Sequence, residues 1–433
     1  MKPNGLLIAA GVLAVLGGLT WWSNKKQAAS AKSSDTTTKI LSIPNDQFQE
    51  IRIQQPARTV DLKKESGKWQ ITQPQPLPAD QDTVSSLVTT LSALNADTVV
   101  EAKAADLSPY GLKDPKLDVQ VVRKNGKTDD LLIGDETPTG SGNYAKLATD
   151  PRVFTIATYN KSSIDKSPDD LRDKRLLTFD SDKLTRVDLQ AKGEAMEFGK
   201  NNQNDWQILK PRPLRADSAT VDTLVSNLKD AKMDLTGDAK DAAARFASGK
   251  KIATASVTDA NGTQTLELRQ DKDNYYAKSS AVAGIYKVGN DLGTSLNKGL
   301  DDFRNKKLFD FGFSDPSKIE LKNATYTKSG DKWMSGPKTM DNTTVQSLID
   351  KLRDLTAASF AEKGGGDPVF EAGVTSNDGK RVEKVSITKQ GNQYFAKREN
   401  EPDIYVVDSK AVGDLQQAAA GVKEATPPPA KKK

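Results

Sequence analysis

The sequence predicts an α+β architecture: an N-terminal transmembrane helix followed by three tandem α+β repeats with antiparallel sheets and packed helices. Three observations carry this expectation. An uncharged apolar run opens the chain, a helix-patterned segment recurs three times, and a tryptophan in a hairpin-like setting precedes each recurrence. At 433 residues the chain is too long for a single core and long enough for about three domains.

The first element is the run "GLLIAAGVLAVLGGLTWW" after "MKPN", in which Leu6 to Trp22 carries no charge. As a helix it would extend roughly 26 Å, close to the roughly 30 Å of a bilayer core, with Trp21 and Trp22 at the interface. The alternative is a cleaved signal peptide, cut after Ala29-Ser30-Ala31. Lys25, Lys26 and Lys32 follow the run and Lys2 precedes it, so a count of positive charges favours a cytosolic bulk. A short N-terminal anchor ahead of a long polar chain favours export instead, and the expectation adopted is an exported bulk. Residues 1–25 form the anchor and 26–45, rich in Ser, Thr, Ala and Lys, form a flexible linker. The tail 425–433, "ATPPPAKKK", cannot continue helix or central strand.

The repeats span 46–179, 180–312 and 313–424. Trp69, Trp206 and Trp333 each follow a turn-like stretch, "ESGK", "NQND" and "SGDK", as the second strand of a hairpin would. Ile71 and Ile208 share a strand face with the first two tryptophans, while Ser335 stands at that place in the third copy. Next come Asp80, Asp217 and Asp341, each four residues before a valine: Val84, Val221 and Val345. Apolar residues then recur at helical spacing, ending at Leu91, Leu228 and Leu352, which is the stripe of an amphipathic helix. The aspartates read as helix N-caps, and Ala79, Ala216 and Met340 before them as staples to the valine.

A second landmark is a lysine eight residues before an aromatic: Lys146 and Phe154, Lys278 and Tyr286, Lys397 and Tyr405. Two strands joined by a turn fit this spacing, and the lysine reads as protection of a sheet edge or as a ligand contact. Ile164, Leu296 and Leu415, and then Arg172, Arg304 and Lys423, suggest a closing helix with basic residues near its end. The stretches "DDLRDKRLLTF" (169–179) and "DDFRNKKLFDF" (301–311) are read as the ends of the first two copies.

Composition narrows the chemistry. Charged residues make up 28% and apolar ones 36%, a globular balance, and the net charge of +5 is small beside 63 basic and 58 acidic residues. No basic face interleaved with aromatics stands out, so no nucleic-acid partner is expected. The absence of cysteine removes disulfides and thiolate chemistry, and the absence of histidine removes the usual general base and imidazole metal ligand. Asp259, Asn261 and Glu267 in "DANGTQTLE" misplace Gly262 for a calcium loop, and a hairpin turn accounts for them. "DKDN" (271–274) lacks the loop glycine. Ser163 and Lys166 match S-x-x-K without its partner motifs. Arg212 and Arg215 in "PRPLR" read as a solvated loop, with a contact to anionic lipid as the alternative. No catalytic, cofactor-binding or metal residue is assigned, and no cofactor is expected.

The first copy, through "WQITQPQPLPADQDTVSSLVTTLSAL", "YGLKDPKLDVQV", "LLIGDETPTGSGNYAKL" and "LRDKRLLTF", resembles the bacterial membrane-anchored tandem-repeat proteins of the domain-of-unknown-function 4340 family. The resemblance weakens in copies two and three, where "YGLKDP" and "IGDETP" have no counterpart. It implies a non-enzymatic envelope protein, an accessory or scaffold to an ABC-type export system. Its partners would be the bacterial inner membrane through Leu6 to Trp22, and an exporter permease or auxiliary subunit. The bulk of the single-pass chain would face the periplasm. Two alternatives stand beside it: a module binding cell-wall polymer or lipid, and a hydrolase working with carboxylates alone.

Overall fold

The computed structural model describes residues 38–313 and 316–426. Three antiparallel sheets of nine, eight and nine strands follow one another along the chain. The first contains β1 (Phe48–Gln55), β2 (Arg58–Glu65), β3 (Lys68–Gln73), β4 (Leu77–Pro78), β5 (Thr98–Glu101), β6 (Leu117–Arg123), β7 (Thr128–Glu136), β8 (Gly142–Leu147) and β9 (Val153–Ala157). Its spatial order is β4-β3-β2-β1-β6-β7-β8-β9-β5.

The second sheet runs through β10 (Arg186–Ala191), β11 (Glu194–Lys200), β12 (Trp206–Lys210), β13 (Leu214–Arg215), β14 (Lys250–Asp259), β15 (Gly262–Asp271), β16 (Asn274–Ser279) and β17 (Ile285–Val288). The third has β18 (Lys318–Leu321), β19 (Ala324–Ser329), β20 (Lys332–Ser335), β21 (Lys338–Met340), β22 (Ala357–Ala361), β23 (Asp367–Ser376), β24 (Arg381–Gln390), β25 (Gln393–Arg398) and β26 (Ile404–Val407). Both repeat the order of the first sheet, except that the second lacks the ninth strand.

The sheets, not the helices, dominate. Only five helices among the described residues reach ten residues: α1 (Gln81–Ser92), α4 (Ser218–Lys229), α5 (Ala239–Ser248), α8 (Asn342–Arg353) and α9 (Ser409–Ala420). The others are α2 (Thr158–Ile164), α3 (Pro168–Leu171), α6 (Asn290–Leu296) and α7 (Leu300–Phe303). No described helix is long and apolar enough to cross a membrane. The expected α+β class with packed helices is corrected to a predominantly antiparallel-sheet chain with few helices among the described residues. The span expected at Leu6 to Trp22, and residues 427–433 of the tail, lie outside the described residues.

The tryptophans and the helix stripes form the cores. Trp69, Trp206 and Trp333 are buried, as are all twelve stripe residues, such as Val84, Leu87, Val88 and Leu91 on α1. Each helix is capped as the spacing predicts: Asp80, Asp217 and Asp341 accept from the backbone N–H of Thr83, Thr220 and Thr344 at 2.8, 2.8 and 3.0 Å. The backbone N–H of each cap residue in turn donates to Leu171, Phe303 or Lys423. That pairing shows Glu424, not Lys423, at the place of Arg172 and Arg304, because Ala79, Ala216 and Met340 bridge to Arg172, Arg304 and Glu424.

The chain enters each sheet through a segment that the sequence assigned elsewhere. Leu176 and Leu308 donate their backbone N–H to Ala231 and Leu355 at 2.8 and 3.0 Å, and Ile40 donates to Leu94 at 2.8 Å. Ile40, Leu41 and Ile43 are buried in the first core, so residues 38–45 are not a tether. Leu176, Leu177 and Phe179 belong to the second core, and Leu308, Phe309 and Phe311 to the third. The motifs "KILSI", "RLLTF" and "KLFDF" thus each open a sheet, the first instead of ending a linker and the other two instead of closing the copy before. Burial of three apolar side chains fixes each one there. The chain divides into two compact units, 1–174 and 175–433; the second holds both the second and the third sheet.

Candidate functional site

The strands after each long helix create the most distinctive geometry. In all three sheets an alanine pairs with the aromatic of the second landmark: Ala145 with Phe154, Ala277 with Tyr286, Ala396 with Tyr405. The repeated lysines therefore sit on β8, β16 and β25, which have a neighbour on both sides. Edge protection, the reading from sequence, does not apply. Lys146 instead donates to the backbone carbonyls of Leu147, at 2.9 Å, and Asp150, closing the turn into β9.

Two β-bulges recur at one place. Val187 and Ile319 each lie eleven residues past the leucine that opens their sheet, and they pair with Val257 and Val374. Five residues before these partners, the register slips: between Lys251 and Ala253 on β14, and between Pro368 and Phe370 on β23. Ile252 and Val369 are the extra residues. A bulge bends its strand and disrupts the ladder locally. At each bulge a cleft opens, walled by the hairpin turn of the sheet's first two strands and by residues at the end of the closing helical segment.

The two clefts differ in chemistry. That of the second copy, about 490 Å³, is lined by Gln190, Lys192, Lys250, Lys251, Gln270 and Asn297, among others. That of the third, about 600 Å³, is lined largely by apolar groups, including Leu321, Tyr326, Val369, Phe370 and Ala419, with Glu371 beside them. Volumes of this size suit small ligands or a short segment of a partner. In the first copy β6 pairs with β7 without a slip from Leu117 to Val122. The corresponding hairpin turn there is held to the residue after α2: Arg58 meets Asp165 at 3.2 Å, and Gln55 donates to the same carboxylate.

A second constellation joins the second and third sheets within the second unit. Arg215 lies on β13, its guanidinium 3.0 Å from Glu401. It also donates to the Lys307 carbonyl at 2.6 Å and to the Tyr405 hydroxyl at 3.2 Å, and Tyr405 donates to Glu401 at 2.9 Å. Arg398 links Glu401 at 2.7 Å to Glu383 at 3.0 Å, and Glu383 accepts from the backbone N–H of Asp310 at 3.0 Å. Nearby, Asp403 accepts from Arg212 at 2.8 Å and faces Arg304 at 3.0 Å; Arg304 in turn stacks 3.3 Å from the centroid of Phe360. Bridging several acceptors at once and stacking on a ring is what a planar guanidinium provides and an ammonium does not.

Burial and charge oppose each other in this cluster. Burial acts to raise the Glu401 carboxyl, yet Arg215 and Arg398 together hold it below its ordinary value. Burial likewise works against the charge on Arg215, but Tyr405, Glu401 and Asp310 hold its guanidinium above its ordinary value. The Tyr405 phenol is pushed up, chiefly by burial. These contacts tie the two sheets together as a clamp, although one buried guanidinium nitrogen of Arg215 has no hydrogen-bond acceptor among the described residues.

Arg215 thus leaves the solvated loop that the sequence assigned to both arginines, while Arg212 stays in an exposed loop and reaches from it to Asp403. A signal was available: comparison of the copies puts Gln75 and Pro78 at their places in the first one, so the pair is peculiar to the second. Asp259 sits at a hairpin end, paired with Gly262, and accepts from the backbone N–H groups of Asp180 and Asn261 at 2.8 and 2.7 Å. Those bonds hold its carboxyl low. Asp271 pairs with Asn274 across the next turn. Ser163 lies on α2 and Lys166 beyond its end. Among the described residues no group of three or more acidic side chains is placed to hold a metal ion.

Fold and clefts define a class: tandem sheet-and-helix units that keep one topology while varying the chemistry of one recurrent cleft. The family described as Domain of unknown function (DUF4340) matches residues 69–210 and 206–377, two overlapping repeats that run from one tryptophan hairpin past the next. The chain belongs to that family. No curated protein and no solved structure matches it.

Proposed function

We propose that the chain is a non-enzymatic accessory or scaffold protein of an envelope transport system, and that the clefts of its second and third copies are where partners dock. The recurrence of one bulge-formed cleft, at the same place in two copies and with different walls, carries this reading. Linked sites of unlike chemistry let one chain hold two parts of an assembly, with the second contact made at raised effective concentration. The resemblance to envelope proteins encoded beside exporters supplies the setting.

The test is a photoreactive amino acid placed at Val369 in cells, followed by mild detergent extraction. An adduct with an exporter permease or its auxiliary subunit, absent when the probe sits at exposed Lys332, is the expected result. Adducts no different from those at Lys332 would reject the docking role.

A second reading, a module for envelope polymer or lipid, is favoured by the lysines of the second cleft. It predicts that the purified chain binds isolated envelope material with no protein partner present.

A further inference from the structure

We propose that the cleft at the bulge of β14 binds the phosphate group of a phosphate ester. The inference rests on the reading of the clefts as binding sites and gives the second one its ligand class. Three features of its wall point there. Lys192, Lys250 and Lys251 supply ammonium groups, Gln190, Gln270 and Asn297 supply amide donors, and no acidic residue is among the lining groups.

The lysines are placed by backbone geometry. Lys192 and Gly193 form the two-residue turn between β10 and β11, both at positive φ (51° and 82°), which turns the hairpin tightly over the cleft mouth. Lys250 and Lys251 open β14, and the slip after Lys251 interrupts the regular pairing with β15. An interrupted ladder no longer holds successive side chains in strict alternation about a flat sheet.

The charges are also available. Lys192 approaches Asp302 only at 3.7 Å. Glu194, across the turn, is engaged by the backbone N–H of Leu300 at 2.7 Å. Lys250 and Lys251 are exposed and have no ion-pair partner among the described residues. The like charges of Lys250 and Lys251 repel one another, and an anion relieves that repulsion. Lysine serves as a point-charge donor to phosphate, and amide N–H groups complete the coordination of its oxygens. On β23 the chain has Asp367 and Pro368 where β14 has Lys250 and Lys251, so the third cleft keeps one lysine, Lys322, beside Glu371 in a largely apolar wall.

The experiment uses the full chain and two probes. Inorganic pyrophosphate is titrated by calorimetry, and vesicles of phosphatidylcholine with and without phosphatidylglycerol are tested by sedimentation. Binding of pyrophosphate identifies a soluble phosphate; binding only of the anionic vesicles identifies a lipid headgroup, and either supports the site. The double variant Lys250→Glu/Lys251→Glu should weaken the interaction at least tenfold, and the milder Lys250→Gln/Lys251→Gln several-fold, both with unchanged melting. The pair Lys332→Glu/Lys380→Glu changes net charge equally at exposed positions of the third copy and should leave affinity within twofold. The proposal is overturned if neither probe binds, if the cleft variants bind like the parent, or if the third-copy pair weakens binding as much. The cross-link from Val369 is independent of this result, so the docking role and the phosphate site can fail separately.

Discussion

Arg215 and Glu401, separated by 186 residues of chain, meet at 3.0 Å where the second and third sheets of the chain come together. Arg215 comes from the short strand before a helix, Glu401 from the loop between the last two strands of the chain. Glu401 is held by Arg398 of its own sheet at 2.7 Å as well as by Arg215, whereas Arg215 finds both of its carboxylates, Glu401 and Asp310, in the third copy.

Removing one partner from such a pair leaves the other charge largely out of water. Arg215→Met should therefore destabilise the second unit by about 3 kcal/mol, and Arg215→Met combined with Glu401→Gln by less than the two single changes added together. Denaturant titration of the four proteins measures this. A loss below about 1 kcal/mol for the single variant would mean that the contact is no more than a surface ion pair.

The same carboxylate predicts a pH response. Its value in the folded chain is depressed, so its contribution is complete above the ordinary glutamate range, near pH 4.3. It declines as the pH falls through the depressed folded value, because the unfolded chain takes up the proton first. Melting temperature followed from pH 7 downward should drop more steeply for the parent than for Glu401→Gln. Parallel curves would remove Glu401 from the account.

Capping aspartates make a separate prediction. Asp80→Ala, Asp217→Ala and Asp341→Ala should each cost about 1 kcal/mol, since each leaves a first-turn N–H without its acceptor. The corresponding Asn variants should lose much less. Equal losses for Ala and Asn would point to a role for the charge beyond capping.

The entry segment can be tested at Ile43, which is 1% exposed. If residues 38–45 were a tether, Ile43→Ala would have no effect on folding. Packed in the first core, it should cost about 2–4 kcal/mol, read as a lower denaturation midpoint for the first unit.

Much of each sheet's interior was readable along the chain. The helix stripes ending at Leu91, Leu228 and Leu352, the capping aspartates and the tryptophan strands all lie within spans of about twenty residues, and their periodicity reports directly on which face is buried. The segments at 39–43, 175–179 and 307–311 were harder, because a short motif with three apolar residues ahead of a sheet does not say which core it enters. Their partners, Leu94, Ala231 and Leu355, lie about fifty residues downstream. The bulges at Ile252 and Val369 left no mark in composition, for a slip of register is a property of two strands and not of one.

The sequence by itself determined that one unit is used three times, where its long helices begin, and which tryptophans and leucines are buried, because local backbone preferences and apolar spacing are written residue by residue. Only the tertiary structure decided that sheet outweighs helix, that two copies carry a cleft, and that Arg215 belongs with Glu401. Those outcomes depend on which distant strands share a register and which charges burial forces into contact, and such energies exist only once the chain has folded back on itself.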